Sequence, residues 1–348
     1  MLILNQKEIE LLVSPAEMVE TVREAFCAYA RRECVVPHRH AVENNGITAL
    51  YMPCFASDVF GTKMLTLVPA NRERGLPSID GAVILNDRET GAICAMLDGK
   101  SVTAWRTGAV GALGTMLLSD PAGSTLGIIG CGVQGLHQAF CIMAVRPIRR
   151  IYLYSRSGVK QEFIEKLRSR MCAAGEGKML KKAEEPEIIE CASAVELVAS
   201  SEIVVTATYS EQPVLPAKPE LLKGKCFVAV GSYKTYMREL PDELFSVVDE
   251  VYVDLPFACE ESGDLSVPIQ KGLLKEDEVK TIYSLFADGK AAAKENLSAV
   301  KCDQKEQDTA HRKTILFKTV GMSVMDLFAA NYLYKKAQEQ HRGLEVEF

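Results

Sequence analysis

Three glycines in six residues, Gly130-Cys131-Gly132-Val133-Gln134-Gly135, follow the short apolar run Thr125–Ile129 and open a helical stretch from about Gln134 to Val145. A strand, a glycine turn and a helix, within a βαβ unit of about 30 residues, are together the arrangement that cradles a dinucleotide pyrophosphate. Gly130 permits the tight turn, Gly132 lets the backbone approach the phosphates, and Gly135 lets the helix pack on the strand. The helix N-terminus offers unpaired N–H groups and a partial positive charge. Gly130, Cys131, Gly132, Val133 and Gln134 are therefore the expected cofactor-binding turn.

The next strand, Ile151–Tyr154, runs into Ser155-Arg156-Ser157. An NAD enzyme usually carries Asp or Glu here, for the ribose 2′-hydroxyl. No acid is present, and Arg156 flanked by the hydroxyls of Ser155 and Ser157 suits a 2′-phosphate. This favours NADP(H) and leaves NAD(H) open. The plainer reading makes Arg156 a solvated surface charge.

Three cations stand out elsewhere. Lys63 lies in a strand-like apolar stretch, with Met64, Leu65 and Leu67 following it, an unusual place for an unpaired lysine. Arg106 sits among small residues in a helical segment, where an arginine is ordinarily a partly buried ion-pair partner. Arg39 lies between two histidines in a loop that Pro37 begins, and could simply be solvated.

The elements that must position these residues fall into two textures. The first helix runs from Ser14 to about Ala30, with Ser14 as N-cap, Pro15 at the first helical position and Glu17 completing a capping box. Ala49–Met52, Val59–Leu67 and Ala82–Leu85 read as strands, and Ala92–Leu97 returns from a turn bracketed by Asn86-Asp87 and Thr90-Gly91. A helix rich in small residues follows, from about Ser101 to Leu118. After Asp120-Pro121-Ala122-Gly123 strands and helices alternate: a helix over Lys160–Ala174, then apolar runs at Ile203–Thr206, Phe227–Val230 and Val251–Val253. Alternation implies a parallel sheet covered on both faces. Phe317 to about Gln340 reads as one long helix returning to the first domain. The expected fold is α/β: a Rossmann domain over 120–309, and an α+β substrate and dimerisation domain from 1–119 with 310–348.

A length of 348 residues suits two domains, and 48% hydrophobic with 25% charged residues is ordinary for a globular protein. Net charge is −6 with scattered Lys and Arg, which argues against nucleic-acid and anionic-membrane partners. Met1–Lys7 lacks the regions of a signal peptide, and no apolar run reaches the ~18 residues of a membrane span. The 11 cysteines include no CxxC pair, so no metal site is expected. Dispersed cysteines read as buried thiols in a reducing compartment, the cytoplasm.

Four stretches together carry a family resemblance over essentially the whole chain: Gly61-Thr62-Lys63; Leu76-Pro77-Ser78 leading through Thr90-Gly91 to Thr103-Ala104-Trp105-Arg106-Thr107; Gly130-Cys131-Gly132-Val133-Gln134; and Gly321-Met322 with Asp326-Leu327. The chain resembles the ornithine cyclodeaminase/μ-crystallin family, which usually has Ala where Cys131 stands. The resemblance implies hydride transfer between a nicotinamide and the α-carbon of an amino or imino acid, in a homodimer. It matches Arg106 and Arg39 to the clamp for the substrate carboxylate, and Lys63 to the active-site lysine that exchanges a proton with nitrogen. It places Ser78 at the nicotinamide half of the cofactor, Thr206 and Thr208 on the adenosine side, and Val230-Gly231-Ser232 close to the nicotinamide ring. Arg106 is counted with the cofactor contacts as well.

One departure bears on the reaction. Where ornithine cyclodeaminases have an aspartate that acts on the substrate amines, this chain has Tyr233. A phenol is neutral at pH 7 and cannot pair with an ammonium as a carboxylate does. That counts against cyclodeamination and leaves reduction of a preformed cyclic imine, such as Δ1-pyrroline-2-carboxylate or Δ1-piperideine-2-carboxylate, with Tyr233 as proton donor or pocket wall. The alternatives are ornithine cyclodeaminase, alanine dehydrogenase and a non-catalytic binder of the crystallin kind.

Overall fold

A computed structural model of the chain describes residues 1–174, 185–287 and 312–347. The expected boundary at 309/310 lies outside the described residues. The chain divides into two compact units, Met1–Arg106 with Gly321–Phe348, and Thr107–Val320.

The first unit is built on a sheet of β1 (Leu2–Leu4), β2 (His40–Asn44), β3 (Ile47–Phe55), β4 (Val59–Leu67), β5 (Ile79–Asp87) and β6 (Ile93–Asp98). The order is β1-β6-β5-β4-β3-β2, with a short C-terminal strand, Leu344–Glu345, outside β1. Strands β2 to β6 run antiparallel, while β1 lies parallel to β6. The β5–β6 turn forms as its residues dictate. Asp87 Oδ1 accepts from Thr90 N at 2.8 Å and Thr90 Oγ1 at 2.7 Å, and Gly91 takes φ 74°. Register aligns Met52, Lys63, Val83 and Leu97 in one buried row across four strands.

Helix α1 (Gln6–Leu12) precedes α2 (Pro15–Ala30), whose Met18, Val19, Val22, Ala25 and Phe26 share a buried face at helical spacing. The expected capping box does not form, since the Ser14 side chain caps nothing. Glu17 instead accepts from Tyr332 Oη at 2.6 Å and pairs with Lys336, both on the C-terminal helix Ser323–Glu339. A charged tertiary partner outcompetes the local cap.

Helix α3 (Gly99–Leu118) leads into the second unit. There β7 (Thr125–Ile129), α4 (Val133–Met143), β8 (Arg150–Tyr154), α5 (Gln161–Ala174), β9 (Glu187–Glu190), α6 (Ala194–Ser200), β10 (Ile203–Thr206), β11 (Cys226–Ala229), β12 (Glu250–Val253), β13 (Val279–Thr281) and β14 (Ile315–Lys318) follow. The strands form a parallel sheet in the order β13-β12-β14-β11-β10-β7-β8-β9. It is a Rossmann-type sheet, with Val204, Phe227, Val251 and Leu316 in its core.

Strand β14 corrects the reading of Phe317 to Gln340 as one helix. Phe317 and Lys318 are strand, inserted between β11 and β12, and the helix begins only at Ser323. A four-residue apolar run has no period that separates a buried strand from a helical segment. Lys318 is fully buried against Asp264. Among the described residues no helix is long and apolar enough to cross a membrane, and the described cysteines are free thiols.

Candidate active site

The glycine turn has the shape its residues require. Gly130 takes φ 104°, and a Cβ there would lie 2.5 Å from Ala207 O. A Cβ on Gly135 would overlap Gly130 O and press Ile128 Cγ2 at 3.1 Å, so the helix packs on β7 through this glycine. Gly132 differs from both. Its φ of −104° suits any residue, and a Cβ would meet nothing within 4 Å. Neither conformation nor internal packing requires glycine there, whereas an external group approaching the backbone does. Gly132 caps α4 with no side-chain bond, and no acid occupies the first turn, which leaves the N–H groups open to an anion. Val133 is exposed beside it, and Gln134 is half-buried, its Oε1 unpartnered among the described residues. Cys131 faces Tyr154 O at 3.8 Å, and burial, with Glu190 contributing, pushes its thiol up to about 12. A thiol held in that range is mostly protonated near neutral pH and is a weak nucleophile. The residues present fit a dinucleotide.

Past β8, Ser155 Oγ lies 3.3 Å from Ser157 Oγ, with Arg156 exposed between them. Past β10, the Thr206 and Thr208 hydroxyls donate to the buried carboxylate of Glu239, at 2.9 and 2.7 Å. Past β11, Val230 donates its N–H to Thr206 O at 2.9 Å. Ser232, expected to pass close to the nicotinamide ring, turns its hydroxyl into the protein. It is 0% exposed, donates to Met237 O at 2.7 Å and meets Ser262 Oγ at 2.8 Å. Its hydroxyl is consumed inside the protein by these two partners. Tyr233 is half-buried beside it.

In the first unit, Lys63 comes from the middle of β4, Arg106 from α3 and Asp326 from the first turn of the C-terminal helix. Lys63 Nζ lies 2.7 Å from Asp326 Oδ2, and Arg106 Nε donates to Asp326 Oδ1 at 3.0 Å. Gly321 makes room for this. It takes φ 82°, and a Cβ there would come within 2.6 Å of Arg106 Nη1. Burial lowers the Lys63 pKa, Asp326 opposes the shift, and Arg106 and Arg39 add to it, leaving it at about 8. Arg39 is half-buried in the loop before β2. Lys63 and Arg106 share the single carboxylate of Asp326, which leaves an excess of positive charge that suits a carboxylate ligand. Ser78 is half-buried before β5, and its carbonyl accepts Val68 N–H at 2.8 Å.

Asp326 belongs to this cluster, although no role follows for it from the sequence. A signal was available: a lysine in the buried row of a sheet must have a carboxylate partner from somewhere. The chain does not say from where.

The family model described as ornithine cyclodeaminase/mu-crystallin matches residues 1–341. The Δ1-pyrroline-2-carboxylate reductase of Bacillus cereus is 32% identical over the whole of both chains. The ketimine reductase mu-crystallin of Mus musculus is 31% identical over 81% of this chain and 78% of its own. The structure of Thermococcus litoralis Δ1-pyrroline-2-carboxylate reductase in complex with NADH and L-proline superposes with a TM-score of 0.82. It is 30% identical, over 99% of this chain and 100% of that one. An archaeal alanine dehydrogenase dimer with bound NAD superposes at 0.81 and is 26% identical, over 100% and 99% of the two chains. With the family model running from β1 through the glycine turn to the helix that carries Asp326, the chain belongs to the ornithine cyclodeaminase/mu-crystallin family.

Proposed function

We propose that the chain is an NAD(P)H-dependent reductase of cyclic imino acids, converting Δ1-pyrroline-2-carboxylate or Δ1-piperideine-2-carboxylate to proline or pipecolate. The observation that carries this reading is the buried set Lys63–Asp326–Arg106, an acid of near-neutral pKa beside a carboxylate-binding arginine. Arg106 and Arg39 hold the substrate carboxylate. Lys63, protonated at pH 7, donates to the imine nitrogen, and Asp326 keeps the ammonium oriented and charged. A reduced dinucleotide held by its pyrophosphate at the glycine turn would supply the hydride for the α-carbon. Proton on nitrogen and hydride on carbon complete the amine, and Lys63 regains its proton from solvent. Tyr233 lines the pocket or assists as a donor. The relatives named for pyrroline-2-carboxylate and ketimine reduction support this substrate class.

The test is nicotinamide absorbance with Δ1-pyrroline-2-carboxylate, run beside ornithine with NAD and alanine with NAD. Dinucleotide-dependent reduction of the imine is expected, without ammonia from ornithine. Ammonia release would favour cyclodeamination and remove the argument from Tyr233. Pyruvate from alanine would favour the dehydrogenase. Saturable dinucleotide binding with no turnover would make the chain a binder.

Three finer assignments accompany this reading. The cofactor is NADP(H) before NAD(H), on the strength of Arg156 and the absence of an acid from Tyr154 to Ser157. Arg156→Ala is then expected to raise KM for NADPH about 10-fold and leave NADH unchanged; equal effects on both would count against it. The assembly is a homodimer. On the face of the sheet opposite Lys63, Phe55 stacks on Phe60 at 4.9 Å between ring centroids, Tyr51 lies across from Met64, and Tyr51, Phe55 and Met64 are exposed. A second copy would cover these residues, as the archaeal alanine dehydrogenase is itself a dimer. Sedimentation as a monomer at micromolar concentration would exclude it. The free, mostly buried thiols fit the cytoplasm, and retention with the cytosolic fraction on cell fractionation checks that.

A further inference from the structure

Glu239 is fully buried and takes no part in the chemistry above. Its Oε1 accepts Thr208 N–H at 2.6 Å and Thr208 O–H at 2.7 Å. Its Oε2 accepts Thr206 O–H at 2.9 Å and Gly231 N–H at 2.7 Å. One carboxylate therefore joins the chain at the ends of β10 and β11, neighbouring strands near the middle of the sheet.

Glu239 is itself held from behind. Its backbone N–H and that of Leu240 donate to Asp264 Oδ1 at 2.6 and 3.0 Å, and Asp264 Oδ2 pairs with Lys318 Nζ at 3.1 Å. Glu239, Asp264 and Lys318 are each 0% exposed. Burying two carboxylates and an ammonium is costly. The neighbouring Asp264 adds to burial in raising the Glu239 pKa. Here that cost falls beneath the carboxyl ends of parallel strands, the edge at which open α/β sheets receive their ligands.

The geometry has a directional consequence. All described peptides are trans, so an N–H aimed at Glu239 points the carbonyl of the preceding residue in the opposite direction within the same peptide plane. The Val230 carbonyl is turned away from Glu239 in this manner, and so is that of Ala207. Gly231 has no space for a side chain, because a Cβ would overlap Thr208 O and the Glu239 carboxylate.

We propose that Glu239 is a positioning residue for dinucleotide binding: by holding the Thr208 and Gly231 amides inward, it fixes which backbone atoms the ends of β10 and β11 present to the cofactor. Asp264 and Lys318 act through it. The proposal rests on the NAD(P)H-dependent reading above. Four donors converge on the two oxygens, so an ionised carboxylate satisfies all of them, whereas an amide would turn an NH2 group toward one.

The test measures dissociation constants of NADPH and NADH directly, on full-length wild type, Glu239→Gln, Asp264→Asn and the double variant, with thermal unfolding of each. Glu239→Gln is expected to bind dinucleotide at least about 10-fold more weakly, with KM for the imino acid unchanged and no further loss in the double variant. Should Glu239→Gln not fold, Thr206→Val removes one donor at constant shape and is expected to weaken the same affinity about 3-fold. A folded variant of lower stability but unaltered dinucleotide affinity would assign Glu239 a structural role and overturn the proposal. A wild type that binds neither dinucleotide would instead overturn the reading on which the proposal rests.

Discussion

Lys63 and Asp326 form an ion pair of 2.7 Å in which neither side chain is more than 2% exposed. Asp326 also binds Arg106, so one carboxylate serves two cations. Burial alone would drive the ammonium toward neutrality, and Asp326 holds it near the pH at which it can exchange a proton.

Asp326→Asn removes the group that raises the Lys63 pKa. Lys63 then falls below its value of about 8 and loses its proton at neutral pH. Imine reduction is expected to drop about 100-fold, with the pH profile displaced to the acid side. Stability falls by about 3 kcal/mol, because Arg106 stays buried without its partner and Lys63 must give up its proton. A pH–rate profile and a denaturant titration of the variant check both. An unmoved profile would mean that Lys63 is not the titrating acid.

The wild-type profile carries its own sign. With Lys63 as the proposed proton donor, the rate of reduction is expected to fall as pH rises through about 8. Oxidation of the cyclic amine needs the neutral amine of Lys63, so its rate rises through the same range. Initial rates in both directions from neutral to alkaline pH, with dinucleotide saturating, show whether the two limbs share one pKa.

Arg106→Lys preserves charge and loses the planar fork that donates to Asp326 and, in the proposed mechanism, to the substrate carboxylate. KM for the imino acid is expected to rise about 10- to 100-fold, with dinucleotide affinity altered much less. Equal losses for both ligands would assign Arg106 to the cofactor as well.

Gly132→Ala and Gly135→Ala separate ligand space from packing. A Cβ at Gly132 meets nothing within 4 Å, so thermal stability should be unchanged while dinucleotide binding weakens about 10-fold or more. A Cβ at Gly135 overlaps Gly130 O, so that variant should lose about 1–3 kcal/mol of stability. Calorimetry of unfolding and dinucleotide titration on the two variants give the comparison.

Much of this protein was legible in the order of its residues, and the legible part is local. The strand Thr125–Ile129, the glycine turn and the helix after it occupy one stretch of chain, and within it the positive φ of Gly130 and the contact of Gly135 with Gly130 O are matters of local backbone sterics. The β5–β6 hairpin is written in Asp87, Thr90 and Gly91 for the same reason. Lys63 stood out because a lysine among apolar strand residues contradicts its surroundings. What the tertiary structure alone decided is long-range. Arg106 and Asp326 are 220 residues apart in sequence, and only the packing of the C-terminal helix in the first unit makes Asp326 the shared counter-charge of Lys63 and Arg106. Strand β14 became a strand because a place beside β11 buries both its faces, which a run of four residues cannot announce. Ser232 turned inward and Glu239 gathered Thr206, Thr208 and Gly231 because a buried polar group must find partners wherever the fold brings them. Spacing along the chain records turns and periods; the pairing of buried charges is settled only when distant segments exclude water together.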